Sequence, residues 1–137
     1  KVIMPIDYVA GEKNGRGSRV VKADKNLKLS AREAIYDIGP ETIQLFAGFI
    51  KQAQTLFWNG AFGHFEVHPY EYGTYALAQL IAARSKGKAY GAVGGGETVE
   101  VVKKLGLAND IDFISTGGGA LLEYLSGKKL PGIESLM

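Results

Sequence analysis

The sequence contains no cysteine, so it can form no disulfide, no thiolate metal site and no cysteine nucleophile. This absence favours a reducing compartment, and we expect a cytoplasmic protein. No apolar run approaches the ~20 residues of a membrane-spanning helix, and no signal peptide is visible. Neither sign of charge dominates, because 16 basic and 14 acidic residues give a net charge of only +2. Composition therefore predicts neither a nucleic-acid nor a membrane partner.

Glycine, in contrast, is abundant, with 19 among 137 residues, in a composition otherwise normal for one globular domain. The most informative glycines form a triplet at 94–96, between an apolar run at 89–93 and a helix-like segment at 99–105. A strand that turns into a helix through glycines exposes unpaired N–H groups at the positive end of the helix dipole, and glycine lets an anion come close. The pattern predicts a phosphate site. Glu97 beside it predicts that a cation such as Mg²⁺ lies between the carboxylate and the phosphate.

A second triplet, at 117–119, follows the apolar run 112–114 and precedes a helix-like segment at 120–125. Two such units are typical of consecutive parts of a parallel α/β sheet, whose right-handed crossovers place both turns at the carboxyl edge, where these sheets bind ligands. The competing interpretation is that both triplets are only tight helix entries. It is weaker because turns rarely need three consecutive glycines.

The remaining pattern alternates strands and helices. The apolar run 1–6 is interpreted as a buried strand in the middle of a domain, and the Asn14-Gly15 pair predicts a small antiparallel excursion near residues 7–22. One helix is predicted to start within residues 37–42, with Pro40 in its first turn, and to run to about Gln54. A second is predicted over 74–86, with a strand at 55–58 between them. We predict a three-layer α/β/α fold of Rossmann-like type, with a parallel sheet of about four strands.

Several other sites are disfavoured. No lysine followed by serine or threonine closes a Walker A motif, and Val99 stands where a dinucleotide fingerprint needs its third glycine or alanine. The pair His64 and His68 has Glu in the middle rather than in the zincin position, so we do not expect a metal there. A basic stretch at 13–32 is interrupted by acidic residues and has no interleaved aromatics, which favours a solvated loop over a nucleic-acid surface. Trp58 is interpreted as a core residue.

Taken together, several blocks resemble the phosphoglycerate kinase family, in the same order over the whole chain. These are DIGP at 37–40, WNG at 58–60 with Gly63 and Phe65-Glu66, Gly73-Thr74, GGGET at 94–98, STGGGA at 115–120, Leu122-Glu123 and Leu130-Pro131. They are similar to the later two thirds of that family's C-terminal, nucleotide-binding domain. The resemblance implies that residues 1–137 are part of this domain, without its start and without the N-terminal substrate domain. It also implies a glycolytic enzyme that transfers a phosphoryl group reversibly between 1,3-bisphosphoglycerate and MgADP, giving 3-phosphoglycerate and MgATP.

The resemblance further implies roles for individual residues. Glu97 would bind Mg²⁺, Glu66 would hold the ribose hydroxyls and Tyr36 would wall the adenine. The nucleotide phosphates would meet Asn59, Gly95, Gly96 and Thr98. Gly96, Gly118 and Gly119 would meet the transferring phosphoryl group when the two domains close.

Three residues depart from the family pattern. Glu97 replaces Asp and places its carboxylate one methylene farther out, Ala61 replaces Pro, and Tyr36 replaces Leu. The family's phosphate-binding lysines and its basic phosphoglycerate site would lie outside this chain, so we expect the chain alone to be inactive, although the whole enzyme would be a monomer. An open sheet edge would invite pairing with a complementary fragment or a second copy. The alternative is a nucleotide- or phosphate-binding half domain without catalysis.

Overall fold

The computed structural model describes residues 1–136, which form two three-stranded sheets with helices packed against them. The elements are β1 (Asp7–Gly11), β2 (Arg19–Lys22), β3 (Ala34–Ile38), α1 (Pro40–Gln52), β4 (Thr55–Asn59), α2 (Tyr72–Gly87), β5 (Tyr90–Gly94), α3 (Gly96–Lys104), β6 (Phe113–Ser115), α4 (Gly118–Leu125) and α5 (Pro131–Glu134), with a 3-10 turn at Ala108–Asp110 between α3 and β6. The predicted α/β class is confirmed. None of the helices in this part of the chain is long and apolar enough to cross a membrane.

The parallel sheet has the order β4-β5-β6. Asn59 pairs with Gly94, and Gly94 pairs with Ser115. These three residues therefore lie side by side where the three strands end. The sequence predicted that the strand exits share one edge, and the register places them there.

The small antiparallel sheet has the order β2-β1-β3. The predicted hairpin is confirmed: β1 pairs with β2, and Gly15 in the connecting turn has a φ of +89°. Strand β3 was not predicted, because residues 37–42 were interpreted as a helix start. Instead Ile38 ends the strand, and α1 begins at Pro40, a position where its missing N–H costs nothing.

The core lies between one face of the parallel sheet and helices α1 to α3. Trp58 and Val93, which are paired across β4 and β5, pack with apolar side chains of all three helices, including Ile50, Leu77 and Val101. Near its carboxyl end the opposite face meets α4, where Leu121 approaches Gly94. The side chains of Phe57, Tyr90 and Phe113 remain 41 to 52% exposed. In the described residues, the third layer of the predicted fold therefore covers only part of this face of the sheet.

The prediction of a buried strand at residues 1–6 is wrong. This segment joins no sheet, and Val2, Met4 and Ile6 are exposed. An apolar run becomes a strand only where a neighbouring strand offers backbone partners. Here the N–H groups of Ile6 and Asp7 both donate to Oγ1 of Thr42, each at 3.0 Å. The described parallel sheet consequently has three strands rather than about four.

Candidate functional site

The amide of Asn59 lies between the two glycine turns. A Cβ on Gly95 would stand 3.0 Å from Oδ1 of Asn59, and a Cβ on Gly118 would stand 3.3 Å from the same atom. Asn59 is the last residue of β4 and is exposed, so its polar group faces the rim formed by the ends of the sheet. One amide side chain and two helix starts therefore converge at one place.

The first turn presents backbone rather than side chains to this rim. Gly95 precedes α3 with a φ of +92°, a conformation that residues with a Cβ rarely adopt, and no side chain caps the helix start. Gly96 and Glu97 are exposed. The first N–H groups of α3 are consequently free to meet an anion at the positive end of the helix dipole.

Thr98 belongs to the same helix start but points inward. Its side chain is 0% exposed, and its Oγ1 accepts a hydrogen bond of 2.7 Å from the Gly60 N–H. This bond joins α3 to the turn after β4. The Gly60 carbonyl in turn accepts a hydrogen bond from Nε1 of Trp58 (2.7 Å), a residue that is buried as predicted. The turn that carries Asn59 is thus fixed from two sides.

The second turn touches the first through backbone atoms. A Cβ on Gly118 would stand 2.6 Å from Cα of Gly95, a distance that real Cβ atoms do not reach, so the contact requires glycine. Gly119 is exposed, and no atom would lie within 4 Å of a Cβ placed on it. Helix α4 has no buried residue. The predicted phosphate-facing glycines are therefore neighbours in space.

Tyr36 and Glu66 lie in a second cluster. The Tyr36 ring stacks on Tyr70 with 4.8 Å between ring centroids and meets His64 edge-on at 5.9 Å. The His64 N–H donates to the Tyr36 carbonyl (2.7 Å), and Nε2 of His64 is 3.8 Å from Oε2 of Glu66. Glu66 is exposed. The segment that follows Asn59 joins this aromatic and acidic cluster to the glycine rim, by which we mean Asn59 and the glycine turns at 94–96 and 117–119.

Sequence reasoning assigned no role to three residues that shape this cluster, namely Asp37, His64 and Thr74. Oγ1 of Thr74 accepts hydrogen bonds from the N–H groups of Phe62 and Gly63, both at 3.1 Å. The pKa of Asp37 is raised to about 6, chiefly by burial; the Gly73 and Ile38 N–H groups oppose the shift, and the nearby Glu71 carboxylate adds a smaller increase. The signal was present, because Asp37 and Thr74 both stand in blocks of the family resemblance.

Residues 1–136 contain no group of three or more His, Asp or Glu side chains close enough to hold a metal ion together. Glu97, in the first turn of α3, is a single exposed carboxylate beside the free N–H groups. Mg²⁺ is commonly bound by one or two carboxylates together with substrate phosphates and water. A single carboxylate beside unpaired helix-start N–H groups therefore fits Mg²⁺ held jointly with a phosphate-bearing ligand.

Fold and rim together define a parallel α/β protein whose sheet ends at an edge formed by glycine-lined helix starts. A sequence model of the family described as phosphoglycerate kinase matches residues 1–128. The chain belongs to the phosphoglycerate kinase family.

Individual relatives agree with this assignment. A phosphoglycerate kinase of Orientia tsutsugamushi (strain Boryong) is 41% identical over 138 aligned positions, covering 100% of this chain and 34% of the relative. One from Desulfovibrio desulfuricans is 50% identical over 104 positions, covering 76% of this chain and 26% of the relative. The structure of phosphoglycerate kinase from Coxiella burnetii superimposes with a TM-score of 0.81 at 37% identity, over 96% of this chain and 33% of that one. The chain spans about a third of the length of these relatives.

Proposed function

We propose that this chain supplies part of the nucleotide site of a phosphoglycerate kinase. The enzyme would transfer a phosphoryl group reversibly between 1,3-bisphosphoglycerate and MgADP, giving 3-phosphoglycerate and MgATP, as a cytoplasmic step of glycolysis. The single observation that carries the proposal is the convergence of Asn59 with the two glycine turns at the carboxyl edge of β4, β5 and β6.

In this proposal the glycine rim holds the phosphates. The N–H groups at the start of α3, around Gly95 and Gly96, bind the nucleotide phosphates, and the Asn59 amide faces them. Gly118 and Gly119 supply a second helix start for the phosphoryl group in transfer. Because phosphoryl transfer needs positioned donors around the equatorial oxygens rather than a covalent enzyme intermediate, backbone N–H groups suffice. Thr98 supports the rim from inside through its bond to Gly60.

Glu97 is the residue that we assign to magnesium. When bound, Mg²⁺ would neutralise charge on the nucleotide phosphates and on the transferring group. The longer side chain of Glu97, compared with the Asp that the family resemblance implies at this place, suits binding directly or through a water molecule. Its carboxylate is exposed and therefore accessible to a metal ion.

The aromatic cluster is the part that we assign to the adenosine. Tyr36 offers a ring fixed by Tyr70, and Glu66 offers an exposed carboxylate that can accept hydrogen bonds from the ribose hydroxyls. The phosphoglycerate and its basic binding residues would belong to an N-terminal domain outside this chain. We accordingly expect residues 1–137 to bind nucleotide but to show no turnover in a coupled assay, and to associate with a complementary segment or a second copy through the free edge of β4.

The decisive experiment is a calorimetric titration of the chain with ADP, with and without Mg²⁺, for the wild type and Glu97→Gln. The substitution keeps the size of the side chain and removes its charge. We expect it to weaken MgADP binding by about tenfold, equivalent to ~1.4 kcal/mol, and to leave metal-free ADP binding nearly unchanged. Glu100→Gln is the matched control, because Glu100 is an exposed carboxylate one turn farther along α3 and is expected to change neither titration.

Two outcomes would contradict the proposal. If the wild type binds MgADP no better than it binds inorganic chloride or sulfate, the rim is not a nucleotide site. If Glu97→Gln weakens binding equally with and without Mg²⁺, Glu97 acts on the helix start and not on a metal ion.

A further inference from the structure

Asp37 is a buried carboxyl that the proposed chemistry does not use. It lies near the end of β3 with 2% of its surface exposed. Its Oδ2 accepts a hydrogen bond of 2.7 Å from the Gly73 N–H, at the start of α2, and its Oδ1 accepts one of 2.8 Å from the Ile38 N–H. The carboxylate thus joins a strand of the small sheet to the first turn of α2.

The 60–66 loop, which carries the proposed ribose residue Glu66, packs closely against the same carboxylate. A Cβ on either Gly63 or Gly73 would overlap the Asp37 carboxyl group, so both positions must lack one for the chain to close around it. Immediately beyond, His64 donates its N–H to the carbonyl of Tyr36, the residue before Asp37. The loop is therefore held against β3 by close packing at Gly63 and by the backbone hydrogen bond from His64 to Tyr36.

We infer that Asp37 is a positioning residue for the adenosine end of the nucleotide, because its carboxylate fixes the 60–66 loop and the start of α2 and so places Glu66 relative to Tyr36. This inference rests on the proposed function. Asp37 is buried, and its carboxylate accepts hydrogen bonds from Ile38 and Gly73 and not from the glycine rim. It acts through Gly63 and Gly73 on the residues that we assign to ribose and adenine.

The charged form of the Asp37 carboxyl is disfavoured by its burial. Its pKa is raised to about 6, chiefly by burial and to a smaller extent by Glu71. Oε1 of Glu71 is 2.8 Å from Nδ1 of His68, and Lys104 is the basic group that interacts with Glu71 from α3. A carboxyl whose folded pKa is raised stabilises the fold most below its unfolded value and loses that contribution as pH rises through the folded value. At neutral pH, Asp37 is therefore charged at the expense of stability, which is typical of groups kept for function.

Asp7 provides a matched control within the same chain. It is also fully buried, and it caps the start of α1 by accepting hydrogen bonds from the N–H groups of Thr42 (2.7 Å) and Glu41 (3.0 Å). Burial opposes its charge, but the hydrogen bonds from Thr42 and Glu41 outweigh burial and lower its pKa. None of these partners belongs to the 60–66 loop or to α2. Asp7→Asn thus removes a comparable buried carboxylate away from the proposed adenosine site.

The test compares Asp37→Asn with Asp7→Asn in chain 1–137, using MgADP and magnesium pyrophosphate as probes at pH 7.5. Pyrophosphate reaches only the glycine rim. We expect Asp37→Asn to weaken MgADP about tenfold, the scale of a lost hydrogen bond to a charged group, and to change pyrophosphate affinity less than twofold. Asp7→Asn should change neither affinity, although it should lower the unfolding midpoint more than Asp37→Asn does.

A second measurement needs no ligand. In the wild type, the amide resonances of Gly73 and Ile38, which both donate to the Asp37 carboxylate, should titrate together near pH 6, and this transition should vanish in Asp37→Asn and persist in Asp7→Asn. The ratio of wild-type to Asp37→Asn affinity for MgADP should also fall towards one as pH is lowered through this range. The ratio is used because the phosphate of ADP titrates in the same range.

Several results would overturn the inference. One such result is an equal loss of MgADP and pyrophosphate binding in Asp37→Asn. Another is a loss of MgADP binding in Asp7→Asn as large as that in Asp37→Asn. A third is that the Gly73 and Ile38 amides titrate apart. If the wild type and Asp37→Asn bind both pyrophosphate and MgADP with the same affinities, the positioning role of Asp37 is wrong and the proposed nucleotide site stands. If the wild type binds neither probe, the proposed function itself fails.

Discussion

The two glycine turns are nearly alike in sequence, but the helices that follow them differ in packing. Helix α3 buries Thr98, Val99, Val101 and Val102, whereas α4 buries none of its residues. Leu121 is half-buried against Gly94, but other apolar side chains of α4 remain outside, with Tyr124 61% and Leu125 59% exposed. A glycine triplet therefore determines how a helix begins, and the residues after it determine whether the helix becomes part of the core.

The difference also separates two kinds of contact at the rim. The first turn is fixed by a buried side-chain bond between Thr98 and Gly60. The second turn is located mainly by its close backbone approach to the first, at Gly95 and Gly118. We therefore expect the first turn to be rigid before any ligand binds and the second to depend on the first.

The largest expected effect comes from the buried face of α3. Val101 is 0% exposed and lies in the core, so Val101→Ala leaves a cavity and should lower the free energy of unfolding by ~2 kcal/mol. Leu125→Ala removes more atoms from α4 but from an exposed side chain, and should change the free energy of unfolding by less than ~0.5 kcal/mol. Urea unfolding followed by Trp58 fluorescence measures both. Equal losses would mean that α4 is as much part of the core as α3.

The strand, glycine and helix units were predictable because their signals are local. The ends of β4, β5 and β6, at Asn59, Gly94 and Ser115, follow from apolar runs that stop at polar or glycine residues. The segment 1–6 was mispredicted because an apolar run does not specify its partner. Strand β3 was missed because its pairing with β1, across more than twenty residues, is a tertiary contact.

The candidate site likewise contains residues that local sequence patterns reveal and one whose surroundings depend on distant residues. The glycines and Asn59 stand out in the sequence, and the structure brings them together, while their chemical roles stay predictions. Asp37 stands in a block of the family resemblance, but its burial could not be predicted, because that burial depends on Gly63 and Gly73, which lie far along the chain. A sequence shows that an acidic residue is present. It does not show which later glycines will close around it.

A smaller effect tests the side-chain bond of the first turn. Thr98→Val keeps the shape of the buried side chain and removes the oxygen that accepts from Gly60, so a partly buried N–H loses its partner. We expect the free energy of unfolding to fall by ~1 kcal/mol, with faster hydrogen exchange at the Gly60 amide. Thr116→Val is the control at the exposed second turn and should leave exchange at Gly60 unchanged. Unchanged exchange in Thr98→Val would show that the first turn does not depend on this bond.

The smallest effect has the opposite sign and lies within α4. A Cβ at Gly119 meets open space, and alanine is the better helix former, so Gly119→Ala should raise the free energy of unfolding of α4 by ~0.5 kcal/mol. The neighbouring Gly118→Ala should do the reverse, because its Cβ meets the Gly95 backbone and must push α4 away from the first turn. Amide exchange within α4, measured for both variants, separates the two. If both substitutions protect the α4 amides equally, the position of the second turn does not depend on the contact between Gly118 and Gly95. The two turns would then be fixed relative to each other only when a ligand binds between them.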